Sequence, residues 1–124
     1  MIDFKNSSFL KLKAISNEDG EKAVSNMLID GESIFASFKT VRDMVIFTNK
    51  RIISINAQGI TGTKKDYTSL PYSKVQVFSV ETSGLADLDC ELELWFSAVG
   101  KVKFEFKSNF NITEFNRILS NYIL

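Results

Sequence analysis

Histidine is missing from this sequence altogether, and cysteine, tryptophan and proline occur once each. Without an imidazole, Ser-His-Asp and Cys-His nucleophilic chemistry and histidine-bound metal are excluded. The single cysteine, Cys90, has no partner for an internal disulfide, which suits a reducing compartment. It falls on the apolar side of a strand pattern and reads as a buried structural thiol, not a reactive one. Six glycines and one proline in 124 residues argue against a linker or a disordered tract. Neither charge is in excess: lysine plus arginine number 15, aspartate plus glutamate 15. No net field therefore draws the whole molecule to nucleic acid or anionic lipid. No run approaches the roughly 18 apolar residues of a membrane span, and Met1-Ile2-Asp3-Phe4-Lys5-Asn6 lacks the basic-then-apolar layout of a signal peptide. A cytoplasmic location is expected.

What the sequence does have is phenylalanine, 11 of its 15 aromatic residues. Phe favours strands and is worth roughly 1.5–3 kcal/mol when buried, which points to a β-rich core. The length suits one domain, 1–124. The densest apolar stretch is Met44-Val45-Ile46-Phe47-Thr48, then Asn49-Lys50, then Arg51-Ile52-Ile53-Ser54-Ile55. It reads as a hairpin on a two-residue turn, with Asn49 suited to positive φ. Thr48 opposite Arg51 puts Met44, Ile46, Ile53 and Ile55 on one face and Val45, Phe47 and Ile52 on the other. A sheet wet on one side alternates apolar with polar; this one is apolar on both, so something covers each face.

Residues 1–16 are mixed. The spacing of Ala23, Val24, Met27 and Leu28 predicts a helix over about 17–28, capped by Asn17 or Asp19. A strand over 32–40 precedes the hairpin. After the Gln58-Gly59 turn, 61–69 is a polar strand near an edge, broken at Leu70-Pro71-Tyr72 because proline donates nothing to a ladder. Residues 75–82 form another strand. A final hairpin runs from Cys90 to Lys107, with Ala98-Val99-Gly100 as its loop and Ser97 opposite Lys101. That register sets Leu94 against Phe104, Leu92 against Phe106, Glu91 against Lys107 and Glu93 against Glu105. The C-terminal helix starts with Asn111 as N-cap, Glu114 completing a capping box and Phe110 with Phe115 as a hydrophobic staple. Its stripe of Ile112, Phe115, Ile118, Leu119, Tyr122 and Ile123 needs burial against the sheet.

Phe47-Thr48-Asn49-Lys50-Arg51, then Leu70-Pro71-Tyr72, Phe78-Ser79-Val80-Glu81-Thr82, Asp87-Leu88-Asp89, Glu91-Leu92 and Trp95 resemble, in this order, the bacterial pleckstrin-homology (PH-like) domain family. The resemblance covers about 31–124, with 1–30 as a helical lead-in. It implies a mainly β fold with α: a PH-like barrel of two near-orthogonal antiparallel sheets, about seven strands, capped by the C-terminal helix. It also implies a self-assembling, ring-forming module without an established activity.

Candidate sites follow from these patterns. Gly59-Ile60-Thr61-Gly62-Thr63-Lys64 is too short, and lacks the following helix, for a phosphate loop. Glu81, Asp87, Asp89 and Glu91 surround one loop, but calcium wants six to eight oxygens in a shaped cage; aspartates bonding their own backbone are the better reading. No metal or cofactor is expected, and no catalysis. Lipid headgroups are the ligands PH domains bring to mind, and the loop between the first strands offers only Lys39 and Arg42, the latter beside Asp43. At about 1 kcal/mol per cation, that falls short of a site. Nucleic acid is not expected, for want of a basic patch with aromatics. Trp95, outward among Glu91 and Glu93, either packs on a neighbouring strand or lysine stem or anchors an interface. The favoured expectation is a non-enzymatic interaction or scaffold module that forms a homo-oligomer through Val45, Phe47, Ile52 and Trp95. The alternative is a peripheral membrane domain binding anionic lipid through Lys39 and Arg42. For the Val45, Phe47 and Ile52 face, two covers are available, a neighbouring subunit or the N-terminal helix.

Overall fold

The computed structural model describes residues 1–5, 9–85, 88–107 and 110–124, with 9 and 10 as backbone alone. The described elements are eight strands and two α-helices, the strands running β1 (Phe9–Ile15), β2 (Ile34–Lys39), β3 (Met44–Thr48), β4 (Arg51–Gln58), β5 (Lys64–Pro71), β6 (Val75–Glu81), β7 (Cys90–Phe96) and β8 (Gly100–Phe106). Helix α1 spans Asn17–Val24 and α2 Ile112–Ile123, with a 3-10 turn at Tyr72–Lys74. The chain is mainly β with a helix near each end. Strand β1 is one more than the seven read from the sequence; residues 1–16 read as mixed, although Leu10-Lys11-Leu12-Lys13 alternates. It joins β8 in parallel, Phe9 opposite Phe104 and Leu12 opposite Phe106, with a shift of register between those pairs. Lys11 lies in that irregularity with a φ of 62°, a left-handed conformation uncommon for a side-chain-bearing residue.

Contacts divide the chain into two compact units. Unit 1 holds residues 1–2 and 14–71: α1 and the antiparallel ladder β2-β3-β4-β5. Its hairpin register matches the sequence expectation, Met44 opposite Ile55 and Ile46 opposite Ile53. The turn does not use positive φ at Asn49. Thr48 Oγ1 instead accepts from the backbone N–H groups of Lys50 and Arg51, both at 3.0 Å, closing the turn with a side chain.

Helix α1 is shorter than expected, and its N-cap is Ser16, whose hydroxyl accepts from Asp19 N at 3.1 Å. Asn17 is the first helical residue, and its Oδ1 accepts instead from Ser37 Oγ at 3.1 Å. The helix lies on the Met44, Ile46, Ile53 and Ile55 face: Val24 is buried there with Ile46, Ile53 and Ile55, and Ala23, Met27, Leu28, Ile34 and Met44 pack around them. Gly20 makes the approach possible, since a Cβ at that position would stand 2.0 Å from Ser37 Oγ and 2.7 Å from Ser37 Cβ.

Unit 2 holds residues 3–13 and 72–124, with the ladder β1-β8-β7-β6 and α2. In its hairpin Phe96 pairs with Gly100, Leu94 with Val102 and Leu92 with Phe104. The register differs by two residues from the expected one. Gly100, at φ 75°, pairs with Phe96 instead of standing in the loop, which is Ser97-Ala98-Val99. A shift of two preserves the faces, so Cys90, Leu92, Leu94, Phe96, Val102, Phe104 and Phe106 are all buried, as the alternation predicts. Helix α2 seats on the apolar side. Asn111 caps it by accepting from Glu114 N at 3.1 Å, and Phe110 and Phe115 rings meet at 5.3 Å and also contact Phe106. Glu114 does not complete a capping box in the bonds described; its carboxylate accepts from Arg117.

Candidate functional site

The Phe47-to-Arg51 segment gathers the most polar chemistry in unit 1. Arg51 Nε donates to Glu32 Oε2 and Nη2 to Glu32 Oε1, both at 2.9 Å, a bidentate pair on a carboxylate side chain with no solvent exposure. Thr48 Oγ1 donates to Glu32 Oε2 at 2.7 Å, and Ile29 N donates to Oε1 at 3.1 Å. Burial of Glu32 works to raise its pKa; the donors Arg51, Thr48 and Ile29 N outweigh it and hold the carboxyl below its ordinary value. Arg51 also donates to Met27 O at 2.8 Å and Ser69 Oγ at 2.9 Å, tying down the turn that follows α1 and the edge strand β5. Asn49 finishes the knot. Its amide spans Gly31 O and Ser33 N at 2.9 and 2.8 Å. The bonds described here tie separate parts of the chain together, so the cluster locks the fold.

At the other end of the same ladder two loops run side by side. Thr40 N donates to Asp43 O at 2.8 Å and closes the β2–β3 turn. Asp43 Oδ1 accepts from Ala57 N and Asn56 Nδ2, and Arg42 Nη2 donates to Gly59 O in the β4–β5 loop. The tips of these tied loops carry Val41 and Ile60, whose exposures of 101% and 103% leave both side chains wholly in solvent. Lys39, Arg42, Lys64 and Lys65 around them are exposed. The acids at this end are engaged: Asp43 as above, and Asp66 with the Met1 amine at 3.0 Å, which holds the Asp66 carboxyl below its ordinary value. Sequence reasoning named Lys39 and Arg42 here, read Lys64 and Lys65 as solvated surface, and gave Val41 and Ile60 no role. Their nearness depends on strand pairing.

The outward face of unit 2 is graded. One row across the ladder is Val77–Trp95–Lys101, the next Ser79–Glu93–Lys103, the third Glu81–Glu91–Glu105. Val77 is 55% exposed and Trp95 half-buried. Lys103 Nζ reaches Glu91 Oε1 at 3.1 Å and Lys101 Nζ reaches Glu93 Oε2 at 3.8 Å. The carboxyl of Glu105 is pushed up by burial first, then by a hydrogen bond to Asp89 and by the charges of Asp89 and Glu91. Lys11 Nζ lies 3.7 Å from Asp89. Among the described residues no three acid, cysteine or histidine groups converge as a metal site; Asp87, named with this acidic group from sequence, lies outside the described residues.

Two further sequence candidates are placed by burial. Cys90 is buried with its pKa raised by desolvation and by Asp89 and Glu91, and its Sγ donates to Phe110 O at 3.9 Å. Val45, Phe47 and Ile52, expected at a self-association surface, are each 0% exposed within one chain. Phe47 meets the Phe38 ring edge-on at 5.7 Å and Phe35 at 6.1 Å. This corrects the sequence assignment of faces. Phe38 and Phe35 of β2 pack on the Phe47 ring, α1 covers the opposite face of the hairpin, and these three side chains have no surface to offer another copy.

Antiparallel ladders with an apolar-striped C-terminal helix and an N-terminal helix make a PH-like fold. Residues 3–123 match the family described as Bacterial PH domain, and the chain belongs to that family. It is 39% identical over 117 residues to the uncharacterized protein YjqA of Bacillus subtilis (strain 168), covering 93% of this chain and 90% of that one. Among solved structures it is similar to a protein with a pleckstrin-homology domain from Shewanella loihica PV-4, at 32% identity and TM-score 0.79, covering 93% of this chain and 99% of that one. A pleckstrin-homology domain from Shewanella amazonensis SB2B shares 34% identity at TM-score 0.65, over 96% of this chain and 93% of that one. No helix among the described residues is long and apolar enough to cross a membrane.

Proposed function

We propose that the chain is a non-catalytic interaction module that works as an assembly of its own copies. The observation that carries this is a pair of end strands. Strand β5 pairs with β4 and stands at the end of the unit 1 ladder; β6 pairs with β7 and stands at the end of the unit 2 ladder. Such edges present backbone N–H and C=O groups that another chain satisfies, and Tyr67 on β5 and Val77 on β6 add exposed apolar surface at 42% and 55%. The polar clusters support the non-catalytic part. Glu32 and Arg51 are engaged with each other in structural bonds, and the Cys90 thiol is buried with a raised pKa, against the lowered value a nucleophilic thiolate needs. Light scattering on the purified protein at about 10 µM, a range where functional contacts persist, tests the reading. A native mass several times the 14.0 kDa of one chain is expected; a monomer refutes it.

A further inference from the structure

We infer that the open edge of β6, together with the flank of α2 beside it, takes up a short extended peptide segment of another protein as an added strand. This goes beyond the self-association proposed above, because it gives one of the two end strands a foreign occupant. Among the described strands β6 has β7 as its single ladder neighbour. From Val75 to Val80 it carries no charge. Strand β5, by contrast, holds Lys64, Lys65 and Asp66 and ends in Pro71, residues of the kind that keep an edge from pairing freely. A register shift between Val75 and Val77 interrupts the start of β6, so its regular edge is Val77–Glu81. The apolar face of this ladder is left open toward that edge. Leu92 and Leu94 on β7 are 0% exposed, but the side chains level with them on β6, Val80 and Phe78, are only half-buried. Helix α2 lies against β6 and the 3-10 turn before it. There Tyr122 stacks on Tyr72 at 6.4 Å, and Ile118, one turn earlier on the same side of the helix, is half-buried. An added strand would bond its backbone to the edge and turn alternate side chains toward Phe78, Val80 and the helix flank.

Size and charge favour a peptide over a second copy at this edge. At ~3.4 Å per residue the regular edge is about 17 Å long and one strand wide. That strip is well under the roughly 800 Å² per partner that two folded domains need for a stable contact. On the outward side Glu81 is exposed opposite Glu91, whose carboxylate already takes Lys103. Two antiparallel β6 strands paired within Val77–Glu81, with their faces matched, set Glu81 against Val77, Ser79 or another Glu81, and never against a cation. The partner that fits therefore has apolar residues level with Phe78 and Val80 and a lysine or arginine level with Glu81.

The test is fluorescence anisotropy of a labelled heptapeptide, SKVTVVS, with the full-length chain raised to about 200 µM. A saturable rise is expected. The same peptide with proline in place of its threonine cannot complete a ladder and should not bind. Wild type should hold SKVTVVS about two- to fivefold more tightly than SEVTVVS, and E81K, with an unchanged melting profile, should reverse that preference. No saturable binding, equal binding of the proline peptide, or a charge preference that E81K leaves unchanged overturns the inference. Self-association is read separately, by native mass. A monomer that binds the peptide sinks that reading and keeps this one; a multimer that ignores the peptide does the opposite.

Discussion

Replacing Gly20 with alanine should destabilise the protein, although alanine is the better helix former by about 0.8–1.0 kcal/mol. The reason is the approach of α1 to β2. An added Cβ would lie 2.0 Å from Ser37 Oγ, 2.7 Å from Ser37 Cβ and 3.2 Å from Ile46 Cδ1. The hydroxyl can rotate away, at the loss of its bond to Asn17, worth about 0.5–1.5 kcal/mol. Ser37 Cβ cannot, because the β2 backbone holds it. The helix must therefore lift from the sheet and loosen Val24 from Ile46, Ile53 and Ile55; overpacking of this kind costs about 1–3 kcal/mol. After the helix-propensity gain, a net loss of about 1–3 kcal/mol remains, a fall of roughly 5–15 °C in melting temperature at this chain length. Thermal melts followed by circular dichroism measure it. Ser37→Gly removes both clashing atoms, so G20A/S37G should melt close to S37G alone, whereas S37A, which keeps the Cβ, should rescue G20A only in part. If G20A melts at or above wild type, or if the G20A and S37G losses simply add, the close approach does not constrain the helix.

Glu32→Ala should cost about 3–5 kcal/mol, since it strands the Arg51 guanidinium in a part-buried site, and urea unfolding at neutral pH would show it; a midpoint equal to wild type would remove the lock from the account of stability. Glu105→Gln should stabilise the protein increasingly as pH rises. The folded-state pKa of Glu105 is raised, so the native state holds this proton above the usual glutamate range and wild type loses stability as pH climbs through that window; a melting difference that is flat or shrinks with pH would refute the sign. Truncation after Asn111 should prevent folding, because the buried Ile112, Phe115 and Leu119 supply together roughly 5–9 kcal/mol of a total of about 5–15; a cooperatively melting fragment would show that α2 is dispensable.

Alternation made the strands of this chain legible, and three places show where its reach ended. In the second hairpin every apolar residue sits on the predicted face, yet the pairing is two residues away from the expected register, because a period of two cannot distinguish a shift of two. The loop decided, with Gly100 opposite Phe96. In the first hairpin both faces are apolar, so the pattern gave no sign of which side α1 would take; a glycine at position 20, small enough to ride over Ser37, is the signal that would have assigned it. Strand β1 offered only the short alternation Leu10-Lys11-Leu12-Lys13, and it is parallel to β8 and irregular at Lys11. The outward face of unit 2 suffered most from the register. The expected pairing set Glu91 against Lys107, whereas the observed one aligns Glu81, Glu91 and Glu105, and only the second makes a carboxylate row.

Several of the residues that carry the family resemblance hold the fold. Thr48 closes its turn and bonds Glu32, Asn49 ties residues 31 and 33, Arg51 clamps Glu32, Met27 and Ser69, and Phe47 is wholly buried. Pro71 ends β5 opposite Arg51, and Tyr72 is buried beside Tyr122 with rings stacked at 6.4 Å. None of these side chains can be altered for a new ligand without loosening the scaffold. A motif made of such residues transmits fold between relatives and leaves activity unspecified. What differs from one such protein to the next must therefore act through side chains the scaffold does not use. In this chain those include Val41 and Ile60 on the loop tips, and Val77 on the end strand β6. Substitutions there should change what the protein binds while leaving its melting temperature where it was.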